Sequence, residues 1–376
     1  MAEPLKNLIN RTTVRDASRH LQRVWPDFDA HRFETLALAG LETLEFKARA
    51  RHIAAALAAT LPQEFAAAAP IIETALGPPA MDDDLGALRT GDAGLAGWAV
   101  WPFAEFVARH GLGDPARALQ TLRELTQRFT SEWAVRPFIE RHPALAFEVL
   151  SAWTRDPNPH VRRLASEGSR PRLPWGLQLK ALIEDPTPTL PLLAALQDDP
   201  SAYVRRSVAN HLNDIARDHP ELLARWLEQH LPGASPERRA LLRHASRTLV
   251  KRGDARVLKA WGLGRRLEGS AQLSLSRRRI VLGERLEISV RLQSASARAQ
   301  KLVIDYAVHH VKASGAATAK VFKGWTVDLA ARGSLDLRKQ HPLRPITTRT
   351  YHAGRHEVDL RVNGEIVARA FFDLKL

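Results

Sequence analysis

The sequence predicts two domains of different class, an all-α repeat solenoid in residues 1–264 and a small all-β sandwich in residues 265–376. Three observations support this prediction. Apolar residues recur at three-and-four spacing through residues 16–261, part of the helical half is repeated, and short alternating runs begin after residue 264. A chain of 376 residues with 45% hydrophobic content is long enough to bury two cores.

The helical half is predicted to consist of short amphipathic helices, because proline, glycine or an Asp-Pro pair interrupts the apolar spacing every 12 to 20 residues. Residues 46–61, rich in alanine and leucine, are typical of a scaffold helix. Residues 77–97, with a proline pair and three consecutive aspartates, indicate a longer loop. Trp98, Trp101 and Trp153 have apolar neighbours and are predicted to lie in the core.

An internal repeat with a period of 43 residues lies in the middle of the chain. In each copy an Asp-Pro pair is followed by Val-Arg-Arg, and the period is typical of the helical pairs of HEAT-like solenoids. The aspartate can cap a helix and the proline can take its first position, which places both arginines in the second turn. Successive second helices line one concave surface, so the arginines would form a ladder along it. The copies are Asp156-Pro157 with Val161-Arg162-Arg163 and Asp199-Pro200 with Val204-Arg205-Arg206, and a looser third copy is predicted at residues 238–252.

The C-terminal part alternates polar and apolar residues in short runs separated by turn residues. About seven such strands in about 105 residues are typical of an immunoglobulin-like sandwich. The chain has no cysteine, so the disulfide of antibody domains is absent and only the architecture is implied. The clearest predicted strands are residues 272–275, 285–292, 301–308, 325–329, 354–362 and 366–373.

The distribution of charge indicates the kind of partner. The formal net charge is +14, and residues 1–150 carry 16 Lys+Arg against 19 Asp+Glu. Residues 151–267 carry 20 against 12, and residues 268–376 carry 19 against 10. A basic middle and C-terminal part on a near-neutral scaffold is expected for binding to a phosphate backbone. The alternative explanation of the charge is that the proteins of the source organism are basic and rich in arginine in general.

Composition also excludes several kinds of chemistry. Without cysteine there is no disulfide, no thiol chemistry, no cysteine-ligated zinc and no zinc deaminase motif. The 15 histidines show no HExxH spacing, so we predict no metal site and no cofactor. No window approaches the roughly 18 apolar residues of a membrane span, and the N-terminus lacks the order of a secretion signal. A cytoplasmic protein is therefore expected.

Four motifs stand out in the helical half, namely FTSEWAVRPF at 129–138, HVRRLASEG at 160–168, LPWG at 173–176 and VRRSVANHLND at 204–214. In order and spacing they resemble those of the AlkC branch of the AlkC/AlkD DNA glycosylase superfamily. The resemblance implies HEAT-like repeats with an appended immunoglobulin-like domain, which as a monomer without an obligate protein partner grips double-stranded DNA. It also implies excision of cationic N-alkylated bases such as 3-methyladenine by hydrolysis of the N-glycosidic bond. The AlkD type relies on two tryptophans around one aspartate, so its roles are not transferred.

Glu132, Glu167 and Asp214 are the candidate catalytic carboxylates within these motifs. Base excision passes through a sugar with oxocarbenium character, which a positioned carboxylate can stabilise while it orients water. A cationic N3-alkylated purine leaves readily, so a strong general acid is not needed. The alternative for each is a weak surface ion pair, with Arg136, Arg163 and Arg217 respectively.

Two tryptophans are further candidates. Trp175 lies between a proline and a glycine in a predicted turn, where it could contact the deoxyribose or a base, or else pack beneath a loop. Trp133 is a candidate DNA contact, although it points about 100° away from Glu132 on a helix.

Six cationic residues are candidate DNA contacts. The two arginine pairs of the repeat are predicted to bind phosphate, and the alternative is that they lie on a solvated helix face. Adjacent residues on a helix point in different directions, so one arginine of each pair would reach DNA. In the sandwich, two lysines flank Phe322 in what is predicted to be a basic loop, and the alternative is an edge strand in which lysine discourages aggregation. These residues are Arg162, Arg163, Arg205, Arg206, Lys320 and Lys323.

A different class of protein also fits the sequence. A non-catalytic HEAT-like scaffold that binds nucleic acid or an acidic protein would share the repeats and the charge. An enzyme of the same fold that acts on RNA or on single strands is the second rival.

Overall fold

The computed structural model describes residues 4–84, 87–263, 265–346 and 349–376. Contacts between residues divide the chain into two compact units. The first contains Met1–Asp218 and Ser235–Ala245, and the second contains His219–Ala234 and Ser246–Leu376. The second unit therefore includes helices as well as strands. The domain boundary predicted between residues 264 and 265 was placed where the helical pattern changes to the strand pattern. It stays a prediction.

The described residues before Gly269 form α-helices with a few short 3-10 helices, as the three-and-four spacing predicts. A longer connection lies between Ala75, where one of these helices ends, and the 3-10 helix Gly97–Val100, where residues 77–97 were predicted to form a loop. Within the described residues no single helix is long and apolar enough to cross a membrane. The bent pair Phe46–Thr60 and Phe65–Ala75, taken together, has the length and apolar composition of a membrane span. The helices are α1 Arg11–Val24, α2 Ala30–Leu38, α3 Phe46–Thr60, α4 Phe65–Ala75, α5 Trp101–His110, α6 Pro115–Thr126, α7 Arg136–Arg141, α8 Pro143–Trp153, α9 Pro159–Gly168, α10 Lys180–Glu184, α11 Leu190–Leu196, α12 Ala202–Asp218, α13 Pro220–His230, α14 Pro236–Ala245, α15 Arg247–Arg252 and α16 Ala255–Ala260.

The repeat is visible in the first unit, where α8 packs on α9, α11 packs on α12, and α9, α12 and α14 are successive neighbours. The predicted capping residues are wrong by two positions. Asn158 accepts from the N–H of His160, and Ser201 accepts from the N–H groups of Tyr203 and Val204. Asp156 and Asp199 instead accept from the N–H of these two capping residues, because an aspartate readily closes a turn onto the backbone two residues ahead.

The strands belong to the second unit and form two sheets, as the alternating pattern predicts. One sheet has the order β1-β3-β6, and the other has the order β2-β8-β7-β4-β5. All pairs are antiparallel except β2 with β8. The strands are β1 Gly269–Leu275, β2 Arg279–Val281, β3 Arg285–Ser294, β4 Gln300–Val311, β5 Ala317–Leu329, β6 Ser334–Pro342, β7 Gly354–Val362 and β8 Glu365–Lys375.

The inner faces of both sheets meet in one apolar core, to which β3, β4, β7 and β8 contribute alternate residues. The six predicted strands are confirmed, whereas β2 and β6 were not predicted. β2 has three residues, too few for a visible alternation. β6 alternates exposed charged residues with half-buried leucines, which makes a weak apolar signal.

Candidate active site

Three carboxylates and two arginines form a chain of alternating charge in the first unit. Guanidinium nitrogens of Arg163 lie 2.7 Å from an oxygen of Glu132 and 3.6 Å from an oxygen of Glu167. Those of Arg170 lie 2.5 Å from Glu167 and 2.8 Å from Asp214. These side chains are 6% to 16% exposed. We call the five residues the carboxylate cluster.

Three neighbouring elements supply the cluster. Glu132 lies in the turn before α7, and Arg163 and Glu167 are four residues apart on one face of α9. Arg170 follows the end of α9, and Asp214 lies on α12, which packs against α9. The packing of these elements therefore brings together three carboxylates that lie far apart in the sequence.

Hydroxyl groups hold two of the carboxylates in place. The Ser207 hydroxyl donates to Oε2 of Glu167 at 2.7 Å, and the Thr130 hydroxyl donates to Oε2 of Glu132 at 2.9 Å. Behind Glu167, Nδ1 of the fully buried His211 lies 2.9 Å from the carbonyl oxygen of Ser166. Burial lowers the pKa of His211 to about 3, so this histidine is neutral. The cluster is thus fixed before any ligand arrives, which is what electrostatic stabilisation requires.

Glu167 is ionised at neutral pH. Its burial alone would raise its pKa, but the charges of Arg163 and Arg170 and the hydrogen bond from Ser207 outweigh burial and hold the pKa below 4.5. Burial likewise disfavours the charge on both arginines, yet the carboxylates beside them raise both pKa values. Glu167 therefore keeps its negative charge with little dependence on pH near neutrality.

The alternative of exposed ion pairs on single helices is wrong for two of the carboxylates. Glu132 and Glu167 are 8% and 5% exposed. Arg136, four residues after Glu132, is fully buried and donates to backbone carbonyls, so Glu132 pairs with Arg163 on another helix. For Glu132 the sequence spacing suggested Arg136, and tertiary packing supplied Arg163 instead. The local pair of Glu167 with Arg163 is present, but it is buried and not on an exposed surface.

Arg170, Tyr203 and Ser207 also lie at the site and were not predicted from the sequence. The Tyr203 ring centroid lies 4.9 Å from the Arg163 guanidinium carbon, and burial, the main cause, raises the Tyr203 pKa to about 12. Ser207 lies inside the motif 204–214, and Arg170 follows Glu167 by three residues, a spacing that favours a contact on a helix. Both signals were present in the sequence, whereas the placement of Tyr203 beside Arg163 depends on how α12 packs on α9.

The turn after α9 presents Trp175 to solvent. Trp175 is 67% exposed and has a φ of 60°, so the alternative of packing beneath a loop is wrong. Arg136 holds both ends of this turn, because its guanidinium donates to the carbonyls of Gly168, Arg170 and Leu177 at 2.6 to 2.8 Å. Burial is the main reason that the Arg136 pKa falls to about 10, and the side chain still carries its charge at neutral pH.

The tryptophans predicted to lie in the core, together with Trp133, differ in burial. Trp101 and Trp153 are 3% and 5% exposed, as predicted. Trp98 was also predicted to lie in the core but is only half-buried, with its ring centroid 4.5 Å from that of Phe129. Trp133 is half-buried against Trp101, at a centroid distance of 4.9 Å, so much of its surface is used inside the protein.

The four arginines of the repeat have different surroundings. Arg162 donates to the carbonyls of Asp156 and Pro157 and pairs with Asp199. Arg205 makes the equivalent bonds to the carbonyls of Asp199 and Pro200. The first arginine of each pair therefore stabilises the start of its own repeat through hydrogen bonds to backbone carbonyls. Arg163 is in the carboxylate cluster, and Arg206 is exposed without an ion pair to any described residue.

The prediction of a basic loop in the sandwich is wrong, because Lys320 and Lys323 lie inside β5, the edge strand of the five-stranded sheet. Both lysines are exposed. The ring of Phe322 stacks on Tyr306 at a centroid distance of 5.4 Å, so it faces the protein and not solvent. The edge-strand arrangement places lysine where it opposes strand pairing with another chain.

One group in the described residues has the geometry to hold a metal ion. Ligand atoms of His309, Glu357 and Asp359 lie within 4.8 Å of one another in the sandwich. However, Arg361 is 2.7 Å from Asp359, and Arg369 is 3.4 Å from Glu357. Both carboxylates are therefore already paired with cations, and a metal would have to displace them.

Comparisons with known proteins agree with this geometry. A model of the DNA alkylation repair enzyme family matches residues 121–249, and a model of the C-terminal Ig-like domain of the uncharacterised protein YhaZ matches residues 269–376. The uncharacterized protein YhaZ of Bacillus subtilis (strain 168) is 37% identical over 366 residues, which are 96% of this chain and 97% of that protein. A solved structure of the alkylpurine DNA glycosylase AlkC of Pseudomonas fluorescens, bound to DNA containing an abasic site analog, is 35% identical and matches 100% of both chains with a TM-score of 0.89. The chain therefore belongs to the DNA alkylation repair enzymes of the AlkC type, with HEAT-like repeats and a C-terminal Ig-like domain.

Proposed function

We propose that this protein is a DNA glycosylase that hydrolyses the N-glycosidic bond of cationic N-alkylated bases, 3-methyladenine among them, in double-stranded DNA. The observation that carries the proposal is the carboxylate cluster, in which three carboxylates from successive elements meet and are held by two arginines. The family and the likeness to AlkC support a glycosylase function in alkylation repair.

The chemistry follows from the charge of the site. As the bond between the base and C1′ breaks, the alkylated base leaves as a neutral molecule and positive charge develops on the sugar. Glu132, Glu167 and Asp214 stabilise that charge and orient a water molecule. The water oxygen bonds to C1′ and its proton passes to a carboxylate, which leaves an abasic site. No proton donor to the base is required, because the base is already cationic.

Trp175 is the proposed contact to the deoxyribose or to a base beside the lesion, because it is an exposed aromatic on the turn that leaves the cluster. Arg206 is the proposed phosphate contact of the repeat, since its guanidinium is exposed and lacks an ion pair within the described residues. Lys320 and Lys323 are proposed to contact the DNA backbone from β5. We also propose that the protein acts as a monomer in the cytoplasm, without an obligate protein partner.

The decisive experiment incubates the purified protein with methylated duplex DNA in excess EDTA and measures released free base and abasic sites. Release of 3-methyladenine together with abasic sites is expected. Salt-sensitive binding without any release would overturn the proposal and favour a non-catalytic scaffold. Release from methylated RNA or single strands but not from duplex DNA would favour an enzyme with a different substrate.

A further inference from the structure

The turn that carries Trp175 is strained. A φ of 60° is unusual for a residue with a side chain and costs of order 1 kcal/mol, so it persists when surrounding contacts impose it. Gly176, the neighbouring residue, would adopt that conformation without strain, yet the positive φ falls on the tryptophan. Something other than the local sequence therefore fixes the conformation of this turn.

Three side chains from outside the turn donate to its backbone carbonyls. The indole N–H of Trp133 donates to Pro174 at 3.2 Å, and the ammonium of Lys47 donates to Trp175 itself at 2.9 Å. Arg136 donates to Leu177 at 2.6 Å. Consecutive peptide groups on both sides of the exposed ring are thus held from the protein side.

Two of these donors have features that suit a positioning role. Lys47 lies in the first turn of α3, is half-buried, and reaches a residue 128 positions away. Trp133 has its ring packed at 4.9 Å from Trp101, which is 3% exposed. The indole N–H therefore points from a fixed ring, and its neighbour along the chain is Glu132 of the carboxylate cluster.

We propose that Lys47 and Trp133 are positioning residues that fix the Trp175 turn, and through it the place of the Trp175 ring relative to the carboxylate cluster. This inference rests on the proposed function, in which Trp175 contacts the substrate. It assigns to Trp133 a role on the protein side of the turn, and it adds Lys47, which no motif contains.

Stabilising the turn by satisfying its carbonyl groups would not by itself require donors from Lys47, Trp133 and Arg136. Each carbonyl lies in a solvent-accessible turn, where water could satisfy it at little cost. A donor from the protein also fixes the direction of the carbonyl group and so the position of the turn. A displacement of about 1 Å in a residue that contacts the substrate is enough to slow a reaction substantially. The three donors come from α3, the turn before α7 and α7. The turn before α7 also carries Glu132, so the ring position is tied to one element of the carboxylate cluster.

The test uses Lys47→Met and Trp133→Phe, with Lys47→Arg as the conservative variant. Trp133→Phe keeps the aromatic contact and removes the N–H. The matched control is Lys6→Met, because Lys6 pairs with Glu45 at the start of α3, carries the same charge and makes no contact with the turn. Trp175→Ala is the reference for complete loss of the ring. All variants are compared by thermal midpoint before kinetics.

Single-turnover excision is expected to fall about threefold to tenfold in Lys47→Met and Trp133→Phe, and to recover in Lys47→Arg. In a Trp175→Ala background Lys47→Met should change the rate by less than about twofold, because no ring is left to position. If Lys47→Met slows the reaction equally in that background, or lowers the salt slope of DNA binding by about one, Lys47 contacts phosphate and the inference is wrong.

Amide exchange of the free protein tests the turn without substrate. The amides of Gly176 and Leu179 donate to Leu173 and Pro171 inside the turn, and they should exchange faster in Lys47→Met and Trp133→Phe but not in Lys6→Met. Unchanged exchange in both variants would overturn the inference whatever the kinetics. If the wild-type protein releases no base, the proposed function fails on its own, and exchange alone then decides whether Lys47 and Trp133 hold the turn.

Discussion

Replacing Glu167 with glutamine removes one negative charge from the centre of the carboxylate cluster and nearly preserves the shape. In the native protein Glu167 accepts from Arg170 at 2.5 Å and from Ser207 at 2.7 Å. The amide oxygen of glutamine can still accept from Arg170, and its nitrogen can donate to the Ser207 oxygen. The hydrogen bonds are therefore largely replaceable, and the charge is not.

The structure sets the expected size of the loss in excision rate and of the loss in stability. Loss of one preorganised group that faces developing charge costs about 100-fold or more in rate, which corresponds to roughly 2.7 kcal/mol. Stranding a buried charge costs about 3 to 5 kcal/mol of folding free energy. However, Arg163 keeps Glu132 at 2.7 Å and Arg170 keeps Asp214 at 2.8 Å, so neither arginine is stranded. We therefore expect Glu167→Gln to lose about 1 to 2 kcal/mol of stability.

The assay measures excision of 3-methyladenine at saturating enzyme, together with DNA affinity and the thermal midpoint. Glu73→Gln is the matched control, because Glu73 pairs with Arg117 at 2.5 Å in a half-buried ion pair between α4 and α6, outside the cluster. We expect both variants to lower the thermal midpoint and Glu167→Gln alone to slow excision. Affinity should hold or rise, since a negative charge near phosphate has been removed.

The pH dependence provides an independent check on the same residue. The folded-state pKa of Glu167 lies below its ordinary 4.5, so its contribution to stability is present above that value and is lost as pH falls through the lower folded pKa. Excision should therefore show no loss on the acid side until pH drops below the ordinary range of a glutamate.

Two outcomes would refute the carboxylate mechanism. One is an equal loss of rate in Glu73→Gln and Glu167→Gln, which would mean that stability and not charge governs turnover. The other is a rate within about threefold of wild type for Glu167→Gln, Glu132→Gln and Asp214→Asn alike.

Further predictions concern binding, cofactors and the sandwich. Arg206→Gln should weaken DNA binding and lower the slope of log affinity against log salt by about one, whereas Arg162→Gln, which breaks contacts inside its repeat, should lower the thermal midpoint and leave the slope unchanged. A chain lacking residues 268–376 should bind and excise less well in filter-binding and release assays, because that segment carries 19 Lys+Arg against 10 Asp+Glu. Excision should be the same with and without EDTA, and loss on chelation that metal restores would contradict the mechanism. Burial, with help from nearby cations, lowers the pKa of His310 to about 3 and of His341 to about 4. Since both folded values lie below the ordinary 6.5, sandwich stability should be complete above that pH and fall as pH drops toward about 4, seen as a falling thermal midpoint in near-UV circular dichroism; a flat profile would contradict this.

Several features follow from the sequence because they depend on local patterns. Helical spacing, the 43-residue repeat and the strand alternation each reflect which residues face a core, and all are present in the structure. The three carboxylates could be predicted for a related reason, since the motifs that resemble the AlkC type contain them. Boundaries were less accurate, as the caps at Asn158 and Ser201 show, because several polar residues near a helix start can each accept the free N–H groups.

The partners of those residues were decided by tertiary structure. The sequence places Arg136 beside Glu132 and both arginines of each repeat on a surface. In the structure Arg136 is fully buried and donates to the turn after α9, and Arg162 is bound to Asp199. A guanidinium with five donors bonds to whichever acceptors the fold brings near, and those acceptors lie about 30 to 45 residues away in the chain. Lys47, 128 residues from the carbonyl it holds, shows the same limit: spacing along a chain predicts neighbours on one helix, and packing alone decides which helices meet.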